Sequence, residues 1–278
     1  MKNIFVSVAM LCLAGTISAQ DYNADLSLKT VYYAGAAYCD YYSLEDWQCG
    51  PGCDNTRGMQ TPVSMFSDYL EGTQGYAGYN SLSNEIIVSF RGSQNLADWY
   101  ENLDYFLKPY PSGPEGTMVH TGFYDSYMTM SSQVIPAVTA LTKAHPDATI
   151  IVTGHSLGAA QSTFAALDIK QKINPPNEMK VYNYGSPRTG NQAFTDYIFS
   201  LFADGTFYRV IHAADPVPHL PLTEMGFNHA GDEAFYNDAT NPLAYKICKN
   251  KAGQPESWGC ADIYYIYTID DHLHYLGI

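Results

Sequence analysis

Gly154-His155-Ser156-Leu157-Gly158 is the stretch where residue type and spacing point to a chemistry. A serine with glycines two positions to either side is the pattern of a nucleophile held at a sharp turn between a strand and a helix. In that turn the serine backbone is strained and its hydroxyl stands above the sheet, while the glycines let helix and strand approach. A larger side chain at either glycine would clash. Three fixed positions of common residue types arise by chance in a chain this long roughly a tenth of the time at about 7% glycine usage, so the flanks must carry the reading. Thr149-Ile150-Ile151-Val152-Thr153 is a β-branched run before the motif, and an Ala-rich helical segment follows from Leu157 to about Lys172. Without those flanks Ser156 would read as an ordinary helix N-cap.

A serine hydroxyl is a poor nucleophile until an imidazole takes its proton, and an acid must hold that imidazole in one tautomer. His120, His145, His212, His219, His229, His272 and His274 are candidates for the base. His155 is set aside as structural, because it precedes a side chain that must point the other way. With the nucleophile on such a turn, the chain order is serine, then Asp or Glu, then histidine, with acid and base on loops leaving strand ends. Asp215 follows the strand-like run Phe207 to Ile211, in Ala213-Ala214-Asp215-Pro216-Val217-Pro218, whose prolines stiffen the loop. Asp-Pro also starts ordinary turns, and the local sequence weighs the two readings equally. Asp270-Asp271-His272-Leu273-His274 comes last, after a strand expected over Tyr264-Tyr265-Ile266-Tyr267, and leaves His272 and His274 both open as the base. These two histidines could also join His219 or His229 on a metal, but no acidic or Cys partner has ligand spacing, and no metal site is expected.

The elements that must position these groups alternate along the chain. Glu85 to Phe90 and Lys180 to Tyr184 are further strand-like runs. Phe123, Tyr127, Met130, Val134, Val138 and Leu141 recur at three- and four-residue intervals as one face of a helix, with a kink expected at Pro136. Buried apolar strands separated by helices predict an α/β fold, with a mainly parallel central sheet and helices on both faces. No repeat, low-complexity tract or long Pro/Gly/Ser linker divides residues 20–278, so one domain is expected. Residues 1–19 read as a secretory signal, with Lys2, the apolar run Ile4 to Ala14 and a small-residue cleavage site at Ile17-Ser18-Ala19. An exported chain would pair most of its cysteines. The local pairs Cys49 with Cys53 and Cys248 with Cys260 are the simplest scheme and leave Cys39 over, while Cys49 to Gly58 reads as a stapled surface loop.

Composition narrows the partners. Against 28 Asp and Glu stand 14 Lys and Arg, a net charge of −14 with no basic run, which argues against nucleic acid and anionic membranes. With 46% hydrophobic and 15% charged residues in 278, the chain can bury a sizeable core. No stretch approaches the roughly 20 apolar residues of a membrane helix. No Asn-x-Ser/Thr sequon occurs, so N-glycosylation is not expected.

Over nearly all of residues 20–278 the sequence resembles the secreted class 3 lipases, fungal-type triacylglycerol lipases whose relatives include feruloyl esterases. The resemblance rests on Tyr38-Cys39, Trp47-Gln48-Cys49, Phe90-Arg91-Gly92-Ser93, Val119-His120-Thr121-Gly122-Phe123, Gly154 to Gly158, Tyr184-Gly185-Ser186-Pro187-Arg188, Asp215-Pro216-Val217-Pro218 and Asp271-His272-Leu273-His274-Tyr275. It implies an α/β-hydrolase fold with Ser156 as nucleophile and Asp215 as acid. It also selects His272, between an acidic residue and a leucine, as the base. Acyl transfer needs donors for an oxyanion: the N–H of Leu157, the residue after the nucleophile, is one. The resemblance makes Ser93 the other, though Ser93 could equally cap a following helix. Gln94 to Phe106 matches the family's lid position, with Leu96, Trp99, Tyr100 and Leu103 as its apolar face and Trp99 as first choice to meet lipid. A surface helix permanently packed on the core would show the same periodicity.

The activity implied is a secreted serine carboxylester hydrolase that needs no cofactor and acts on triacylglycerol at an oil-water interface. A feruloyl-type esterase, a phospholipase and a lipase-like lipid-binding protein without turnover are the alternatives. Members of the family continue beyond the residue matching Tyr275 to a cysteine that pairs with the one matching Cys39. This sequence ends at Ile278, and Cys39 is expected to lack that partner.

Overall fold

The apolar runs that bracket the serine motif lie side by side in the computed structural model, which describes residues 22–95, 103–238, 241, 243–257 and 259–278. In chain order the strands are β1 (Ser64–Asp68), β2 (Thr73–Asn80), β3 (Glu85–Phe90), β4 (Leu107–Pro109), β5 (Met118–His120), β6 (Thr149–His155), β7 (Met179–Tyr184), β8 (Phe207–His212), β9 (Asp232–Tyr236) and β10 (Tyr245–Cys248). Eight of them form one sheet in the order β1-β2-β3-β6-β7-β8-β9-β10, and β4 and β5 make a separate antiparallel pair. From β3 to β9 every pairing is parallel, while β1, β2 and β10 run antiparallel at the margins. The fold is that of the α/β-hydrolases.

The helices are α1 (Ala24–Ala36), α2 (Tyr41–Glu45), α3 (Pro51–Asp54), α4 (Thr121–Ala144), α5 (Leu157–Asp168), α6 (Gln192–Leu201) and α7 (Ile269–Leu273). Strand alternation sends neighbouring residues to opposite faces. Ile86, Val88, Ile150 and Val152 pack with Val134 and Val138 of α4, Phe164 of α5 and Ile198 of α6. Ile87 and Ile151 point the other way and meet Tyr33 and Ala36 of α1. Each such aliphatic side chain, fully buried, contributes about 1.5–3 kcal/mol.

Register places the chemistry. Phe90 pairs with Gly154, and His155 with Tyr184. The carboxyl ends of β3, β6, β7 and β8 therefore line one edge of the sheet, where α/β proteins carry their sites.

Several expectations change. Tyr264-Tyr265-Ile266-Tyr267 is not a strand: it follows a single 3₁₀ turn, Ala261–Ile263, and leaves Tyr265 and Ile266 exposed. β10 ends the sheet beyond β9, and residues 264–267 do not pair with its outer edge. Residues 49–58 are not all loop, since Pro51 opens the short helix α3. The helix expected from the Phe123-to-Leu141 face is α4, which contains Pro136. The Ala-rich helix ends at Asp168 and widens into a π turn, Ile169–Ile173, closed by Asn174 in the left-handed conformation. Disulfides link Cys49 to Cys53 and Cys248 to Cys260, and the free thiol of Cys39 points to the Cys49 carbonyl at 3.1 Å.

Candidate active site

Ser156 sits between β6 and α5 with φ +60° and ψ −127°. A non-glycine residue held there costs of order 1–3 kcal/mol, which its surroundings must offset. The glycines around it explain how. A Cβ on Gly154 would lie 2.3 Å from the Gly158 backbone, and one on Gly158 would lie 2.2 Å from the Phe90 carbonyl oxygen. Gly92 is pressed as closely, since its Cβ would meet the Tyr38 hydroxyl at 2.2 Å and the Ser156 Cβ at 2.9 Å. The Ser156 N–H donates to the Tyr184 carbonyl at 3.0 Å and ties the turn to β7.

Asp215 follows β8 and is fully buried. Its Oδ1 accepts the Val217 N–H at 2.8 Å, and its Oδ2 receives His272 Nδ1 at 2.8 Å and the Tyr275 hydroxyl. Burial alone would raise this carboxyl. The His272 ring and the Tyr275 and Val217 hydrogen bonds outweigh it and leave the acid below the ordinary carboxylate range. His272 is also fully buried, on α7. Nδ1 on the carboxylate leaves Nε2 as the nitrogen able to take a proton. Ser156 Oγ and His272 Nε2 are both buried, and neither has a hydrogen-bond partner among the described residues. Serine and base in unliganded sites are often not yet hydrogen-bonded.

Helix α7 has only five residues and is fixed from outside. The Thr268 N–H donates to the Ala214 carbonyl at 3.0 Å, and the Ala214 N–H donates to Asp271 Oδ2 at 3.0 Å. His212 Nδ1 donates to the Asp271 carbonyl at 3.0 Å, and His155 Nε2 to the His272 carbonyl at 2.8 Å. That last bond fixes a tautomer: Nε2 carries the hydrogen, so Nδ1 of His155 accepts from the Tyr38 hydroxyl at 2.7 Å. Burial and the neighbouring His272, with ring centroids 4.5 Å apart, pull His155 down to about 3 and keep it neutral beside the base. Gly185 completes the packing at φ +57°, where a Cβ would lie 2.7 Å from His272 Cε1 and 3.0 Å from Asp215 Oδ2. Arg188 anchors the loop after the acid: it pairs with Glu256 through Nε and Nη2 at 2.8 and 2.9 Å, and donates from Nη1 to the carbonyls of His219 and Pro221.

Ser93 and Gln94 follow β3 and, with Ser156 and His155, line a cavity of about 560 Å³ walled by apolar Val31 and Leu273. Leu157 is the first residue of α5, so its N–H has no carbonyl partner within the helix. The structure thus brings together Ser156, Asp215 and His272, with Ser93 and Leu157 beside the serine. The lid candidates Leu96, Trp99 and Tyr100 lie outside the described residues, and Leu103 is half-buried against the main core.

The remaining histidines have other partners. His120 caps α4 by accepting the Phe123 N–H at 3.2 Å, His145 stacks on Tyr79, His229 bonds the Pro218 carbonyl, and His274 is largely exposed on the Asp270 carbonyl. Among the described residues no cluster of three or more His, Cys, Asp or Glu could hold a metal. Four residues escaped the sequence reading as site residues: Gly185, Tyr275, Tyr38 and His155. The first three stand in motifs whose function is invisible until distant segments meet, and His155, set aside as structural, turns out to hold the His272 carbonyl.

The sequence profile of the class 3 lipases matches residues 87–225. A lipase of Rhizomucor miehei is 32% identical over 235 residues, which cover 84% of this chain and 62% of that protein. Secreted mono- and diacylglycerol lipase A of Penicillium cyclopium is 33% identical over 218 residues, 76% of this chain and 70% of that one. Lipase II of Rhizopus niveus superposes with a TM-score of 0.82 at 29% identity, covering 92% of this chain and 94% of that one. The chain belongs to the class 3 lipase family.

Proposed function

We propose that this chain is a secreted serine carboxylester hydrolase acting on triacylglycerol. The observation that carries the reading is the buried Asp215–His272 pair, with Nε2 unclaimed by any described residue and the His272 ring packed on His155, the residue before the strained Ser156. Ser156 Oγ attacks the ester carbonyl as His272 Nε2 takes its proton, and Asp215 holds the ring and stabilises the imidazolium. The N–H groups of Leu157 and Ser93 receive the oxyanion, a contribution of about 100- to 1,000-fold in turnover per donor. The imidazolium then protonates the leaving alcohol, and the acyl group stays on Ser156. Water, deprotonated by His272, attacks that acyl-enzyme and releases the fatty acid. Each step closes on groups of the chain itself.

Triacylglycerol follows from the apolar cavity wall and from the relatives named as lipases. Export follows from residues 1–19 and from a relative named as secreted, with residues 20–278 as one catalytic domain. Among the described residues no helix is long and apolar enough to cross a membrane.

The test is fatty-acid release from emulsified long-chain triacylglycerol against release from a soluble short-chain ester, with Ser156→Ala as control. Fast emulsion hydrolysis that vanishes in the variant is expected. Activity on the soluble ester alone would retain the chemistry and replace the lipase reading with an esterase.

A further inference from the structure

The loop after Asp215 and the segment leading to His272 leave a second cavity between them, of about 350 Å³. That volume suits a small organic molecule, and no residue lining it also lines the Ser156 cavity. Its charges do not balance. Arg188 supplies a positive charge, but its three side-chain nitrogens are committed to Glu256 and to the carbonyls of His219 and Pro221. Glu224 and Asp262 line the same cavity, and among the described residues neither pairs with a Lys or Arg.

Asp262 is the sharper case. Its side chain is only 23% exposed, and His219 Nδ1 stands 3.7 Å from its Oδ1, beyond hydrogen-bond reach. Burial and Arg188 pull His219 down to about 4, so the ring is neutral at pH 7 and brings no counter-charge. His219 Nε2 is itself buried without a partner among the described residues. Burial and the nearby Glu256 push the Asp262 carboxyl up, and a cation in the cavity would offset both.

The walls say which cation. The Tyr267 ring stands 4.5 Å from the His219 ring, centroid to centroid, and burial with the field of Asp262 raises its phenol. Tyr265 and Leu222 line the cavity too, and both are exposed. Aromatic faces attract a cation. A metal ion needs several oxygen or nitrogen ligands, and among the described residues no three His, Cys, Asp or Glu gather to hold one. An anion would be repelled by Glu224 and Asp262, and a neutral apolar ligand would leave Asp262 covered without a partner. An ammonium wrapped in methyl groups satisfies the carboxylate and the rings at once.

We propose that this cavity is a binding site for a small free organic cation of the methylated ammonium class, with Asp262 as its counter-charge and Tyr265 and Tyr267 as its aromatic walls. Binding makes and breaks no covalent bond, and it does not depend on the ester-hydrolase reading.

The test titrates the full chain with choline chloride by calorimetry, against sodium chloride at equal ionic strength and against the neutral isostere in which carbon replaces the ammonium nitrogen. Saturable binding of a single choline is expected, about ten-fold or more tighter than that of the isostere. Asp262→Asn should weaken it about ten-fold, and Tyr267→Leu about two- to five-fold. Thermal melts close to the parent's will show both variants folded. Phosphocholine should bind more weakly than choline, because its phosphate meets the same carboxylates; equal binding would overturn the choice of a free cation over a lipid headgroup. No saturable choline binding, binding that both variants leave unchanged, or equal binding of the isostere would each overturn the site.

Discussion

The two halves of the candidate site are built on different principles. On the nucleophile side, Ser156 is locked by backbone against backbone: β3, β6 and α5 meet so closely that Gly92, Gly154 and Gly158 have no room for a Cβ. On the acid and base side, Asp215 and His272 sit on a loop and a five-residue helix, held by side chains that arrive from far along the chain. The first half is part of the sheet core, and distorting it should cost the fold. The second is an assembly of hydrogen bonds, and distorting it should cost the reaction while sparing the fold.

The largest effects should come from removing the reacting groups. Ser156→Ala and His272→Ala should each lower kcat on a soluble ester by about 10⁴- to 10⁶-fold, and the double variant should lose little more, because the groups act as a unit. Additive losses in steady-state assays would separate the two halves.

Glycine substitutions test the contrast directly. Gly158→Ala sets a Cβ 2.2 Å from a core-strand carbonyl, so the expected cost is about 4 kcal/mol or more, with loss of soluble protein. Gly185→Ala meets the His272 ring instead, at 2.7 Å, and adds the strain of φ +57°. It should fold with a loss of about 1–2 kcal/mol, yet lower kcat about 100-fold by moving the ring off Asp215. Denaturant melts and kinetics read both, and a folded, active Gly158→Ala would break the comparison.

A smaller effect follows from Tyr275. Tyr275→Phe removes a buried hydrogen bond to Asp215 worth about 1.5–3 kcal/mol and loosens the acid without touching the elbow. Turnover should fall roughly 5- to 30-fold, in line with about 1–2 kcal/mol of that bond being felt in the transition state. No change in turnover would show that His272 and Val217 alone hold the carboxylate.

Acid should act on the same side. Burial holds His155 at about 3, and His120 and His219 at about 4. The unfolded chain protonates these rings below about 6.5 while the folded chain does not. Their contribution is therefore complete above about pH 6.5 and lost as pH falls towards the folded values, by about 1.4 kcal/mol per pH unit for each proton. Glu256 adds a loss lower down: burial opposes its charge, but His229 and Arg188 hold it at about 2, and its contribution fades from about pH 4.5 towards that value. Thermal melts from pH 7 to pH 4 should show Tm falling throughout, and a level Tm would contradict the neutral buried histidines.

What the sequence displayed follows the same division. The elbow was legible because its determinants are neighbours: a β-branched strand, glycines at fixed spacing and an Ala-rich helix. The histidine side was legible only as a choice between His272 and His274, which the family resemblance resolved, since its supports come from Tyr38, His155, Ala214 and Tyr275. Strand β2 was missed because Thr73-Gln74-Gly75-Tyr76-Ala77-Gly78 looks like loop. A Cβ on Gly75 would lie 2.5 Å from the Ser89 carbonyl, a demand of the neighbouring strand that no local pattern reveals. Strand β9 was missed because Asp232-Glu233 looks solvated, yet both are buried and paired with Lys249 and Arg209. Tyr264 to Tyr267 erred in the other direction, having strand propensity without joining the sheet.

The central claim is that His272 and Asp215 make Ser156 a nucleophile. A fluorophosphonate that forms a covalent bond to activated serines, read by intact mass and peptide mapping, tests it most directly. One adduct on Ser156 is expected, absent in Ser156→Ala and formed far more slowly in folded His272→Gln. A folded, unlabelled chain, or labelling at the same rate without His272, would contradict it.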